Sequence, residues 1–138
     1  MSNSIEMIDG RSWWAANWAF DAVIESIAGN LNVSKLECEL AQYLLAQTSD
    51  HCGPGLGDVD LRELSPPCRA AFHTAARLAV QKADTEDGSS WQQPEFFPGW
   101  LDRFRALVDM IDAVDRGDKA PPDTHLTEPT GRCVGPGW

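Results

Sequence analysis

Residues 12–29, SWWAANWAFDAVIESIAG, decide how this chain is read. Taken at a period of 3.6 residues, Trp13, Ala16, Phe20, Val23, Ile24 and Ile27 fall on one side, and Gly29 supplies a stop. The pattern predicts a helix over about 12–28. It also carries a second face made of Trp14, Trp18, Asp21 and Glu25, within about 60° of one another on a helical wheel. Large aromatics flanked by acids suit a hot spot for a basic protein: the rings supply desolvated area, the acids steering and specificity. The plainer reading is a central helix whose tryptophans pack against a neighbour.

Three further stretches show helical periodicity. Residues 35–47 follow Ser34 and Glu37, which have capping-box spacing, and present Leu36, Leu40, Tyr43 and Leu44 as a stripe. Residues 66–83 open with Pro66 and Pro67, admissible in a first turn, and continue through Phe72, Ala76, Ala79 and Val80. Residues 98–116 place Trp100, Leu101, Phe104, Leu107, Ile111 and Val114 opposite Asp102, Arg105, Asp109, Asp112 and Arg116, with Gly117 as the stop. A short helical turn is expected near Val59–Leu64. No run of alternating β-branched residues stands out. The expected fold is therefore a single-domain, all-α bundle of four main helices (about 12–28, 35–47, 66–83 and 98–116) occupying residues 1–116. The Gly- and Pro-rich stretch over 117–138 is expected to be an extended or disordered tail.

Composition narrows the function. The 138 residues include 21 Asp+Glu against 11 Lys+Arg, a formal net charge of −10. Such a chain repels nucleic acid and anionic lipid, so neither is expected as a partner. No apolar run approaches the roughly 18 residues of a membrane span. The start, MSNSIEMIDGRSWW, lacks a basic segment followed by an apolar one, so a cytoplasmic location is expected. Cys38, Cys52, Cys68 and Cys133 are irregularly spaced and read as free thiols.

Chemistry-bearing candidates are few. His51, Cys52, Cys68 and His73 are metal-ligand types, but no C-x-x-C pair occurs, and ordinary buried thiols are the plainer reading. Cys52, beside His51 in the run HCGPGLGD, could in principle be an activated thiol, yet adjacent residues of an extended loop point apart. That run also lacks the G-K-[ST] of a phosphate loop. Asp21 with Glu25, and Asp109 with Asp112, could serve as paired carboxylates, but the Glu-x-x-His pattern of di-iron bundles is absent. Arg105 with Asp109, and Asp112 with Arg116, read instead as i,i+4 pairs on a solvated face. Arg103 interrupts the apolar arc of the last helix. Arg69, His73 and Arg77 form a basic i, i+4, i+8 stripe that could hold an anion or pair with the protein's own acids.

These features point to a non-enzymatic binding module that docks on and inhibits a basic partner, with no cofactor and no metal. Trp14, Trp18, Asp21 and Glu25 would form the interface, with Asp109 and Asp112 second. In size, charge and lack of a catalytic signature the chain looks like the immunity proteins that neutralise bacterial toxins. That resemblance is one of general character, rests on no motif and transfers no residue role. A homodimer through the same face is equally compatible. The alternative from a different class is a small-ligand- or metal-dependent helical enzyme using the His/Cys group or the helix carboxylates.

Overall fold

The computed structural model describes residues 2–32, 34–48 and 57–118. Its first element is a hairpin. Strands β1 (Ser2–Glu6) and β2 (Ser12–Ala16) pair antiparallel, with Ile5 opposite Trp13 and Ser4 opposite Trp14. Between them Met7 N–H donates to Arg11 O at 2.7 Å, and Gly10 N–H donates to Met7 O at 3.1 Å. Gly10 stands at φ +96°. This is a three-residue hairpin loop, Ile8-Asp9-Gly10, in which the glycine takes the left-handed position that closes a type I turn with a bulge. Asp9 Oδ1 braces it by accepting from Arg11 N–H at 3.1 Å.

The hairpin overturns the all-α helical bundle. A two-residue strand, β3 (Val59–Asp60), runs parallel to β1 and completes a mixed sheet of order β2-β1-β3. The helix expected over 12–28 begins only at Asn17, because Ser12–Ala16 is spent on β2. Along that strand Trp13 is buried, Trp14 exposed and Ala15 buried, an alternation of period two.

The other helices stand close to their expected places. They are α1 (Asn17–Gly29), α2 (Lys35–Leu45), α3 (Pro66–Ala83) and α4 (Phe97–Arg116). Ser34 Oγ caps α2 by accepting from Glu37 N–H at 3.2 Å, while Glu37 reaches back to Asn32 N–H at 2.9 Å. Gly117, at φ +78°, ends α4 in the left-handed conformation. The turn expected near Val59–Leu64 is β3 followed by a 3-10 turn at Leu61–Glu63. A second 3-10 turn, Pro94–Phe96, leads into α4. The tail expected from 117 lies outside the described residues beyond Asp118.

α1 packs against α2, α3, α4 and the hairpin, so the core forms around it. Phe20, Val23 and Ile24 of α1 meet a common core with Trp13, Ile5, Phe72, Phe104 and Leu107, all essentially inaccessible to solvent. Each such side chain contributes about 1.5–3 kcal/mol of apolar burial.

A polar seam fixes the hairpin on α4. Trp13 Nε1–H donates to Arg103 O at 2.9 Å, and the Arg103 guanidinium sits 5.4 Å from the Trp13 ring centroid. The same guanidinium donates to Trp14 O. Because Met7 and Arg11 form a hydrogen-bonded pair, alternation makes Ser4–Trp14 a non-hydrogen-bonded pair whose backbone groups point off the ladder. Arg103 thus covers an outward carbonyl on the edge strand, where another chain could otherwise add. Its place inside the apolar arc of α4 is thereby explained. At the far end Arg11, buried, bonds Asp9 Oδ2 at 2.9 Å and donates to Asp118 O.

Candidate functional site

Four of the residues singled out by sequence lie near the junction of β2 and α1. Trp14 stands on the outer face of the hairpin and is 45% exposed; Trp18, in the first turn of α1, is 38% exposed. The strand–helix junction between them means that they do not share a helical face. Trp18, Asp21 and Glu25 do share one, at i, i+3 and i+7 along α1. Asp21 is half-buried and Glu25 exposed.

Trp18 is the outer end of a ladder of rings. It lies 5.4 Å from Phe96 and 6.5 Å, edge-on, from Trp91. Trp91 in turn meets Phe97 at 5.6 Å and Trp100 at 5.0 Å, and Trp100 meets Phe104 at 5.4 Å. These spacings are those of offset and edge-to-face aromatic pairs. Phe96 is 45% exposed while Trp100 and Phe104 are buried, so the ladder runs from solvent into the core. Gly88 makes the approach possible. It holds φ +82°, and a Cβ there would fall 2.6 Å from Phe97 Cβ. Trp91 and Phe96 were missed by helical periodicity because they lie in the connection before α4. The readable signal was density: five aromatic residues crowd positions 91–104.

The last-helix pair is split. Asp109 is exposed on α4. Asp112 is turned towards α3, where its Oδ1 lies 2.8 Å from His73 Nε2 and accepts from Arg77 at 2.6 Å. Burial opposes its ionisation, but the hydrogen bonds from Arg77 and His73 outweigh that and hold its carboxyl below the ordinary aspartate range. His73, itself buried, places Nδ1 2.7 Å from Asp115 Oδ2. A ring that faces a carboxylate at each nitrogen can donate to both only as the imidazolium. The basic stripe of α3 therefore pairs with the protein's own acids at two of its three positions. The i,i+4 pairs expected on α4 are displaced accordingly: Arg105 bonds Asp84 and Asp102, and Arg116 bonds Asp118.

Among the described residues no group of three or more His, Cys, Asp or Glu side chains is arranged to hold a metal ion. The two nitrogens of His73 address different carboxylates on opposite sides of the ring and do not converge with them on one point. Cys38 is exposed and Cys68 half-buried, both as free thiols. His51 and Cys52, the other members of the suspected ligand group, lie outside the described residues, as does Cys133. No described helix is long and apolar enough to cross a membrane. No protein-family model, no curated protein and no solved structure matches the chain.

Proposed function

We propose that the protein is a binding module that docks on a basic protein partner and blocks it, in the manner of an immunity protein neutralising a toxin, and that it works without catalysis, cofactor or metal. The observation that carries this reading is the exposure of Trp14, Trp18 and Phe96, at 45%, 38% and 45%, on a chain of net charge −10. Exposed rings with acids beside them provide an anchor that loses water on binding, within a field that draws a cationic surface in. Asp21 and Glu25 line the same stripe of α1 as Trp18, and Glu95 precedes Phe96. Asp109 extends the acidic surface on α4, whereas Asp112 is committed to His73 and Arg77. The setting for this reading is the interior of the producing cell.

The test is native mass spectrometry of the protein drawn gently from its own cells through a small tag. A stoichiometric basic second protein is expected, lost in the Trp18→Ala, Asp21→Ala double variant while helical circular dichroism is retained. A bare wild-type chain, or one carrying a metal or a small molecule in place of a protein, overturns the proposal. A homodimer held by the same face would also overturn it.

A further inference from the structure

A cavity of about 280 Å³ opens beside His73, between the hairpin loop, the 3-10 turn after β3, the first half of α3 and the end of α4. Its walls are apolar where Met7, Leu61, Phe72 and Ile111 meet, all buried, and Ile8 stands at its rim, 48% exposed. The polar groups that line it are Arg69, His73 and Asp115. Small-molecule sites have this make-up: a concave, mostly apolar pocket, near the lower end of the usual range of about 300–1,000 Å³, with a few polar groups that fix orientation.

Arg69 sets the chemistry. Among the described residues Arg11, Arg62, Arg77, Arg105 and Arg116 each hold an aspartate, and Arg103 lies over Trp13 and bonds Trp14 O. Arg69 has neither kind of partner. Its Nη1 donates to Leu64 O at 2.6 Å, which braces the side chain and leaves the rest of the fork for another acceptor. A half-buried guanidinium with no counter-ion among the described residues, in a strongly acidic protein, is a group set aside from the internal pairing that absorbs its neighbours. The one carboxylate on the wall, Asp115, is already 2.7 Å from His73 Nδ1, so its charge is partly spoken for. The best complement to an apolar floor with one open guanidinium is a small carboxylic acid with an apolar body.

We infer that this cavity binds a small amphipathic carboxylate, its carboxyl group on Arg69 and its apolar body against Met7, Ile8 and Ile111. The site is separate from the aromatic face and does not depend on the binding role proposed for it.

The probe is 3-phenylpropionate, followed by the methyl resonances of Met7, Ile8, Ile111 and Val114 in the full chain. Saturable shifts confined to these methyls are expected, with 3-phenylpropionamide, which has the same shape and no charge, binding about tenfold more weakly or worse. Arg69→Gln should bring the acid down to the level of the amide, with circular dichroism reporting that the fold is kept. The amide comparison holds even if that variant fails to fold. Absence of saturable shifts, shifts that centre elsewhere, or equal affinity for acid and amide would each overturn the inference. Equal affinity would make the cavity a purely apolar slot for a side chain of another protein.

Discussion

Trp13 and Trp100 bury the same side chain in two differently built regions. At the hairpin seam, Trp13 Nε1–H donates to Arg103 O at 2.9 Å and the Arg103 guanidinium lies over the ring. In the aromatic ladder, Trp100 is 4% exposed, its Nε1 has no hydrogen-bond partner among the described residues, and its surroundings include the rings of Trp91, Phe97 and Phe104. The seam is directional: the Trp13 indole N–H and the Arg103 guanidinium each have a named acceptor, which fixes the hairpin's place on α4. Around Trp100 the ladder rests on buried area and ring orientation, which tolerate small shifts. A surface meant to adapt to a partner is better built on the second plan, with its outer rings Trp18 and Phe96 open to solvent.

Substitution by phenylalanine separates the two plans. Trp13→Phe removes the donor to Arg103 O and shrinks a fully buried ring, and should cost about 2–4 kcal/mol in denaturant unfolding. Trp100→Phe creates a similar void but also removes a buried donor that has no partner among the described residues, so the two effects offset and the net change should stay within about 1 kcal/mol. Equal losses at the two sites would show that the indole N–H of Trp13 contributes nothing and that the seam is held by packing, like the ladder.

A smaller effect reports on the seam between α3 and α4. The carboxyl of Asp112 is held below its ordinary range by Arg77 and His73, against the opposing effect of burial. A depressed carboxyl pKa adds stability that is fully present above the unfolded value, about 3.9, and is lost as pH falls through the lower folded value. Asp112→Asn should therefore cost about 1 kcal/mol at pH 7, a modest figure because the side chain keeps 27% of its exposure. The gap from wild type should close as pH falls below the ordinary aspartate range and through the lowered folded value. A gap that persists in strong acid would mean that Asp112 acts through shape rather than charge.

What could be read in the chain follows from how local each cause is. The ends of α2, α3 and α4 were legible because Ser34, Ser65 with its prolines, and Gly117 act within one turn. The hairpin was hidden in a helical pattern because Trp13, Ala16, Phe20 and Val23 satisfy a 3.6-residue period while Trp13–Ala15 also satisfy a period of two. Asp9-Gly10, lying between Ile5 and Trp13, was the available signal for a tight turn, and it outranks periodicity when a glycine must adopt positive φ. The partners of His73 and Arg103 lie 30 or more residues away in sequence, so no local pattern could reveal them. Trp18, Asp21 and Glu25 stayed together because α1 is helical where they sit. Trp14 parted from them because its backbone is a strand.

That separation has its own measurable consequence, the smallest in size. If residues 12–28 formed one helix, Trp14 and Trp18 would be i,i+4 neighbours with rings in contact, and their removal would be coupled. With Trp14 on β2, its ring leaves the hairpin's outer face while Trp18 leans on Phe96 and Trp91. Trp14→Ala should change stability by less than about 1 kcal/mol, since nearly half of the side chain is already in water. Trp18→Ala should cost about 1 kcal/mol through its ring contacts. Combined, the two should add within about 0.5 kcal/mol. A larger coupling in the isolated protein would restore the single helical face and dissolve the distinction between a strand-borne and a helix-borne tryptophan. Additivity alone, joined to a non-additive loss of partner binding, would place both rings on the same partner while keeping them apart in the fold.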